Sequence, residues 1–254
     1  MAVLLYLVGT AGSGKSYLTH TFTRWMELNK YYAVPVNLDP GAEALPYNPE
    51  IDIRDLLSLT QVMEEYSLGP NAAQIVCADL LVLKIEGLKE ELEGYECDYF
   101  IIDTPGQIEL FAFRESSKQI VEKLGGNPLI AYLFDPLLAR TPAGFVSQVM
   151  LSATVQFRFA VPAVNLLSKC DLLKEEELDR MKKWVEEPYQ LLEEAIAQEP
   201  SMQKQLSIEL FKVFEGLSAY KTLTPISSVN FFGMEDLYSA IQQVFYGGEE
   251  LEKR

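Results

Sequence analysis

The 254-residue sequence predicts a three-layer α/β/α fold built on a mostly parallel sheet. Three observations carry that expectation. Apolar runs without polar alternation recur along the chain, as strands buried on both faces require. Segments with helical spacing separate most of them, and strands alternating with helices mean β-α-β units. The first apolar run also passes through a glycine-rich turn, "GTAGSGKS" (9–16), directly into a helical segment.

Taken in order, "AVLLYLV" (2–8) is the first buried strand, and a helix follows from Lys15 to about Asn29. "YAVPVNLD" (32–39) is the second strand. Residues 40–96 hold no convincing strand, only two helical segments joined at Gly69-Pro70-Asn71. Strands return with "CDYFIIDT" (97–104), then a helix over 108–123, and further strands at "PLIAYLFD" (128–135), "VPAVNLLS" (161–168) and "TLTPISS" (222–228). Residues 174–220 read as helices, with "KEEELDRMKKWVEE" charged and amphipathic. With no internal repeat or low-complexity linker, the expectation is one domain over 1–254 carrying helical insertions at about 40–96 and 174–220. The tail "GGEELEKR" reads as a frayed, solvated end. Inside 72–92, Leu81, Ile85, Leu88 and Leu92 form one stripe at helical spacing. Leu80, Val82 and Leu83 widen it, so this helix is expected to be buried on more than one side.

Composition narrows the function. At 48% hydrophobic and 23% charged, the chain has the make-up of an ordinary globular protein. Cys77, Cys97 and Cys170 lack C-x-x-C spacing and are odd in number, which argues against a disulfide framework or a zinc site. The formal charge of −16 repels nucleic-acid phosphate and anionic lipid, so neither direct nucleic-acid binding nor membrane binding is expected. The N-terminal apolar run is too short for a signal segment, and no window approaches a membrane span. A cytoplasmic location is expected. Any phosphorylated ligand must then be held by a local arrangement against the global field.

"GTAGSGKS" supplies such an arrangement, matching G-x-x-x-x-G-K-[ST] between a buried strand and a helix. Gly12, Ser13 and Gly14 lie in a backbone free to curl its N–H groups around an anion. The helix beginning near Lys15 adds its positive end. Lys15 is expected to reach the β- and γ-phosphates, and the Ser16 hydroxyl to ligate Mg²⁺. Tyr17 follows with its backbone near the phosphates.

"FIIDTPGQ" (100–107) places Asp103 at the end of a neighbouring strand, where a second Mg²⁺ partner is needed. Gly106 can approach a γ-phosphate closely, and its N–H would report whether that group is present. Gln107 has two open readings: orienting an attacking water, or opening the next helix. "LLSKCD" (166–171) ends another buried strand. Asp171 can accept both N1–H and the 2-amino group of guanine, with the Lys169 stem over the ring, whereas adenine N1 would repel it. The usual pattern has Asn where Ser168 stands. The backbone of Ser227 and Ser228 in "PISSVN" is placed to approach guanine O6.

These motifs, with Gly-Pro-Asn in an insertion between strands, resemble the GPN-loop GTPases of the archaeal or eukaryotic type, which are P-loop NTPases. The resemblance covers nearly the whole chain: "GTAGSGKS", "NLDPGAE", "SLGPN", "DTPGQIELF" and "LLSKCD" in family order. It implies GTP as substrate, GDP as product and Mg²⁺ as cofactor. It further implies a homodimer in which Gly69, Pro70 and Asn71 enter the partner subunit's active site. Asp39 is implied near Mg²⁺ or the attacking water, and RNA polymerase or its assembly machinery as a protein partner. Locally, Gly69 and Pro70 also read as a helix stop, with Asn71 and Gln74 as a capping box. Arg54 and Arg114 read as surface salt bridges, and His20 as a solvated or packing residue. The rival reading is an ATP-dependent small-molecule kinase, which needs a mobile arginine-bearing lid; residues 174–220 hold only Arg180.

Overall fold

The computed structural model describes residues 2–197, 205–206, 208–211 and 222–247. Seven strands form one sheet: β1 (Val3–Gly9), β2 (Ala33–Asn37), β3 (Ile51–Asp52), β4 (Tyr99–Asp103), β5 (Asn127–Phe134), β6 (Ala163–Leu167) and β7 (Thr224–Pro225). Their order is β3-β2-β4-β1-β5-β6-β7, and every pairing is parallel. Central β1 sets Val3 opposite both Tyr99 and Asn127. The chain leaves β1 toward one edge of the sheet and leaves β5 and β6 toward the other. Their carboxyl ends therefore open on one crevice, where such sheets bind ligands.

The pleat of β1 divides the core in two. Leu4, Tyr6 and Val8 pack with Val34, Val36, Phe100 and Ile102 beneath α3 (Pro70–Leu80), α4 (Ile85–Glu93), α6 (Glu115–Leu124) and α8 (Pro142–Phe159). Val3, Leu5 and Leu7 face the other way, onto Leu18, Phe22 and Met26 of α1 (Lys15–Leu28) and Met234, Leu237 and Ile241 of the helix Met234–Tyr246. Both faces are covered, which is why the strands read as unbroken apolar runs.

Several expectations are revised. Residues 40–96 do contain a strand, the short β3, which continues the sheet beyond β2. Two residues are too few to display a period-two pattern. That segment also holds α2 (Leu59–Glu65) beside α3 and α4. Leu81, Ile85, Leu88 and Leu92 are buried, but Leu83 is 75% exposed, so the apolar stripe does not extend that far round. The helix expected over 108–123 is two, α5 (Ile108–Phe111) and α6, separated at 112–114. Within 174–220, α9 (Glu175–Glu186) and α10 (Pro188–Ala197) form as expected. Most of 198–220 and the tail 248–254 lie outside the described residues.

Candidate functional site

The loop after β1 curls because its glycines take backbone angles that other residues rarely adopt: Gly12 has φ +75° and Gly14 φ +100°. Gly9 is constrained differently. A Cβ there would lie 2.7 Å from Ser13 Oγ and 3.0 Å from the Leu133 carbonyl, so only glycine lets the loop leave the sheet.

Lys15, the first residue of α1, is buried. Its ammonium donates to the carbonyls of Gly9 (2.9 Å), Thr10 (3.1 Å) and Gly106 (2.9 Å). Burial lowers its pKa from 10.5 to about 8, while the charges of Asp103 and Asp39 oppose the fall. It is therefore cationic at neutral pH. The ammonium bridges the loops after β1 and β4 without meeting a carboxylate directly, so its charge stays available to an anion between them.

Asp103 ends β4, buried, with Tyr47 donating to Oδ2 at 3.0 Å. Oδ1 has no well-formed hydrogen bond among the described residues. Burial raises the Asp103 pKa from 3.8 to about 6, opposed by the Ser16 and Tyr47 hydroxyls and by Lys15. The folded state thus holds this proton more tightly than the unfolded chain. Its stabilising contribution is present below 3.8 and lost as pH rises through about 6. Urea titrations of the protein and Asp103→Asn should therefore show stability shifting in favour of the variant, by about 2–3 kcal/mol, between acid and neutral pH. A difference that stays constant across that range would contradict the buried-carboxylate assignment.

Asp39 follows β2. Its Oδ1 accepts from Gly41 N–H at 2.9 Å and its Oδ2 from Gly106 N–H at 3.0 Å. Asn37 fixes the approach, accepting from Asp39 N–H at 3.0 Å while donating to the Asp39 carbonyl and to Asp52. Arg54 grips Asp52 with two nitrogens and donates to the Ala42 carbonyl at 2.9 Å. Rather than a free surface ion pair, Arg54 is the strut of the Asp39 loop. Arg114 does form the expected exposed pair, with Asp79 of α3 at 2.6 Å.

A cavity of about 510 Å³ is lined by Gly12, Lys15, Ser16, Asp39, Thr104 and Gly106. Gly14, Tyr17 and Lys169 join it to a second of about 250 Å³, lined by Ser168, Asp171, Ile226, Ser228 and Val229. The two form one groove along the carboxyl ends of the strands. In the second chamber Ser227 donates from Oγ to Asp171 Oδ1 at 2.6 Å, orienting the carboxylate. Lys169 donates to the Gly12 carbonyl and lies 3.9 Å from Asp135, so its stem spans the gap between chambers. Ser168 turns inward, donating to the Phe134 carbonyl at 2.9 Å. The Ser227 amide is already donated to the Phe232 carbonyl, so of the expected pair only Ser228 is left to face a ligand. A third cavity of about 350 Å³, beside His20, Arg24 and Tyr32, lies across residues 45–47 from the groove.

The remaining expected residues lie at the rim. Tyr17 is 65% exposed, and Gln107, also exposed, is the N-cap of α5 with no side-chain capping bond. Gly69 caps α3 in extended conformation, Pro70 takes its first turn, and Asn71 makes no cap, correcting the capping-box reading. Gly69, Pro70 and Asn71 are all exposed. Tyr47, Asp135 and the Ser227 hydroxyl went unread in the sequence. Each is a lone polar residue whose partner lies far along the chain, and only the doublet "SS" after the last strand marked the neighbourhood.

The fold and these loops have known counterparts. Residues 7–247 match a family described as a conserved hypothetical ATP binding protein. A GPN-loop GTPase of Pyrococcus abyssi is 36% identical over 229 residues, covering 89% of this chain and 86% of that protein. GPN-loop GTPase 3 of Eremothecium gossypii is 32% identical over 254 residues, covering 98% and 93%. The crystal structure of the apo GTPase from Pyrococcus abyssi superimposes with a TM-score of 0.86 at 31% identity, covering 96% of this chain and 98% of that one. On likeness of sequence and fold over nearly its whole length, the chain belongs to the GPN-loop GTPase family.

Proposed function

We propose that this GTPase binds GTP with Mg²⁺ in the groove and hydrolyses it as a homodimeric switch serving the assembly of a protein complex. The carrying observation is one continuous groove with a buried cation, Lys15, at one end and a carboxylate set by Ser227, Asp171, at the other. Charge places the triphosphate and hydrogen bonding places the base. Two donors of guanine meet Asp171, whereas adenine offers that carboxylate only repulsion. That chemistry favours the relatives' name over the adenine nucleotide in the family description.

The donor set suits Mg²⁺. No group of three or more His, Cys, Asp or Glu that could hold a metal occurs among the described residues, so no all-protein cage is formed. Mg²⁺ prefers one or two protein oxygens plus phosphates and water. Ser16 and the unpartnered Oδ1 of Asp103 provide the protein share, with Asp39 beyond. Bound there, the ion would neutralise charge developing on the phosphates. In the reaction, water attacks the γ-phosphorus, the bond to the β,γ-bridging oxygen breaks and GDP leaves. Inorganic phosphate retains the water oxygen with one of its protons, and the other proton passes to solvent. Lys15 and the Gly106 N–H stabilise the equatorial charge, and Gly12 and Gly14 hold the phosphates in line, whereas the expected Ser13 is buried with its N–H donated to the Thr10 carbonyl at 3.1 Å.

The homodimer would place Gly69, Pro70 and Asn71 against the phosphates of the partner subunit. Their exposure, with Asn71 free of a capping duty, supports that role. The −16 charge and the lack, among the described residues, of a helix long and apolar enough to cross a membrane favour a protein partner in the cytoplasm, such as RNA polymerase or its assembly machinery, over nucleic acid or lipid. Arg180 donates to the Arg140 carbonyl at 2.8 Å and stacks 5.2 Å from the Trp184 ring centre. Tied down in this way, it is no mobile lid for a kinase.

Asn71→Ala tests the trans role. Because Asn71 caps nothing, the melting temperature should stay within about 2 °C, whereas loss of a true cap costs ~1 kcal/mol. Single-turnover GTP hydrolysis should fall at least tenfold. Unchanged hydrolysis at the concentration where light scattering reports the dimer would refute the assignment.

A further inference from the structure

The helix that begins with Gly-Pro-Asn lays one face against the Asp39 loop. A Cβ built on Gly41 would lie 3.1 Å from Gln74 Nε2 and 3.3 Å from Asp39 Oδ1, so amide and carboxylate flank the same glycine. One turn along α3, buried Cys77 feels the Asp39 charge, which adds to burial in raising its thiol pKa. The far end of α3 is fixed by Asp79, which accepts from both Arg114 and Ser116. The Gln74 side chain makes no hydrogen bond to the described residues: its Oε1 is buried without a partner, and its Nε2 is left free to donate. A half-buried amide held with neither end engaged calls for a reason, and the end that can serve a carboxylate is the Nε2 donor.

Resting on the GTP-binding reading above, we infer that Gln74 is a positioning residue for Asp39, donating to its carboxylate when a γ-phosphate takes the Gly106 N–H. At present that N–H is donated to Asp39 Oδ2 at 3.0 Å, so the carboxylate occupies the donor a γ-phosphate oxygen needs. Two anions cannot share it. When the phosphate arrives, Asp39 loses one of its two backbone donors and gains a negative neighbour, and it requires a replacement. The unengaged Nε2 of Gln74 borders the same glycine as Asp39 Oδ1 and is a neutral donor that could take the place of the lost N–H. GDP lacks the γ-phosphate and leaves the Asp39–Gly106 bond in place. The exchange would therefore draw α3, and with it Gly69-Pro70-Asn71, toward the Asp39 loop only in the triphosphate state. It gives the Gly69-Pro70-Asn71 start of α3 a direct sensor of the γ-phosphate.

The test compares affinity for GDP and for a non-hydrolysable GTP analogue, both with Mg²⁺, by calorimetry on the full chain and on Gln74→Leu and Gln74→Met. Both variants keep the bulk and remove the donor. The expected result is GDP affinity within twofold of the unaltered protein, analogue affinity reduced at least tenfold, and a melting temperature of the nucleotide-free protein equal or higher because the orphaned amide is gone. If both variants keep the ratio of analogue to GDP affinity, or lose both affinities together with melting temperature, Gln74 is only a packing residue and the inference is overturned. If the unaltered protein binds neither nucleotide, it is the GTP-binding reading that fails, and the inference falls with it.

Discussion

Lys15→Ala is expected to lower affinity for GTP with Mg²⁺ by about 10³-fold, and single-turnover hydrolysis by at least as much. A close pair of unit charges at an effective dielectric of about 20 is worth about 4 kcal/mol, which is roughly that factor. The loss is compounded by what remains. Asp103 and Asp39 would then face the phosphates without the buried ammonium that offsets them, in a protein already carrying −16. Two of the three carbonyls that hold the ammonium, from Gly9 and Thr10, belong to the phosphate loop, and the third, from Gly106, to the loop after β4. Removing the side chain therefore also uncouples the two loops. Lys15→Arg should not rescue, because the buried pocket is shaped to a compact ammonium and guanidinium is planar and larger. Calorimetry decides the binding part; affinity within fivefold of the unaltered protein would show that the loop backbone, not the lysine, holds the phosphates.

Asp171→Asn is expected to weaken guanine nucleotides by at least about 10²-fold and to create affinity for xanthine nucleotides. Two hydrogen bonds to a charged acceptor are worth about 1.5–3 kcal/mol each. Sites that pair buried polar groups in this way discriminate by up to about 10⁴–10⁵. Xanthine carries a carbonyl where guanine has its amino group. An asparagine held by the Ser227 hydroxyl can accept from N1–H with its oxygen and donate to that carbonyl with its nitrogen. Competition of labelled GDP by unlabelled xanthosine and guanosine diphosphates reads the switch. A variant that keeps its guanine preference would remove Asp171 from the base site.

Most of the sheet and both ends of the groove were legible because each is written locally. Gly12, Gly14, Lys15 and Ser16 are adjacent in sequence, and their roles follow from backbone freedom and charge at a helix start. Asp103 and Gly106 stand three residues apart at a strand end for the same reason. The unread parts depend on contacts across the fold. Tyr47 meets Asp103 from 56 residues away, and Arg54 supports Asp39 indirectly, through Asp52, Asn37 and the Ala42 carbonyl. No spacing rule encodes either. The capping assignment failed because Pro70 fits the first turn of a helix better than it ends one, so Gly69 became the cap. The Ser227 amide was lost to Phe232, a turn contact that the doublet of serines could not disclose. Leu83 broke the expected stripe because residues 81–84 tighten into a 3-10 turn between α3 and α4, which rotates the faces relative to a continuous helix.

Calorimetric titration of GDP and of ADP, each with Mg²⁺, into the purified chain is the most direct trial of a guanine nucleotide lying along this groove. GDP should bind at one site per chain and at least about 10²-fold more tightly than ADP, the scale set by two hydrogen bonds to Asp171. Equal affinities, a preference for ADP, or no heat with either nucleotide would contradict the account.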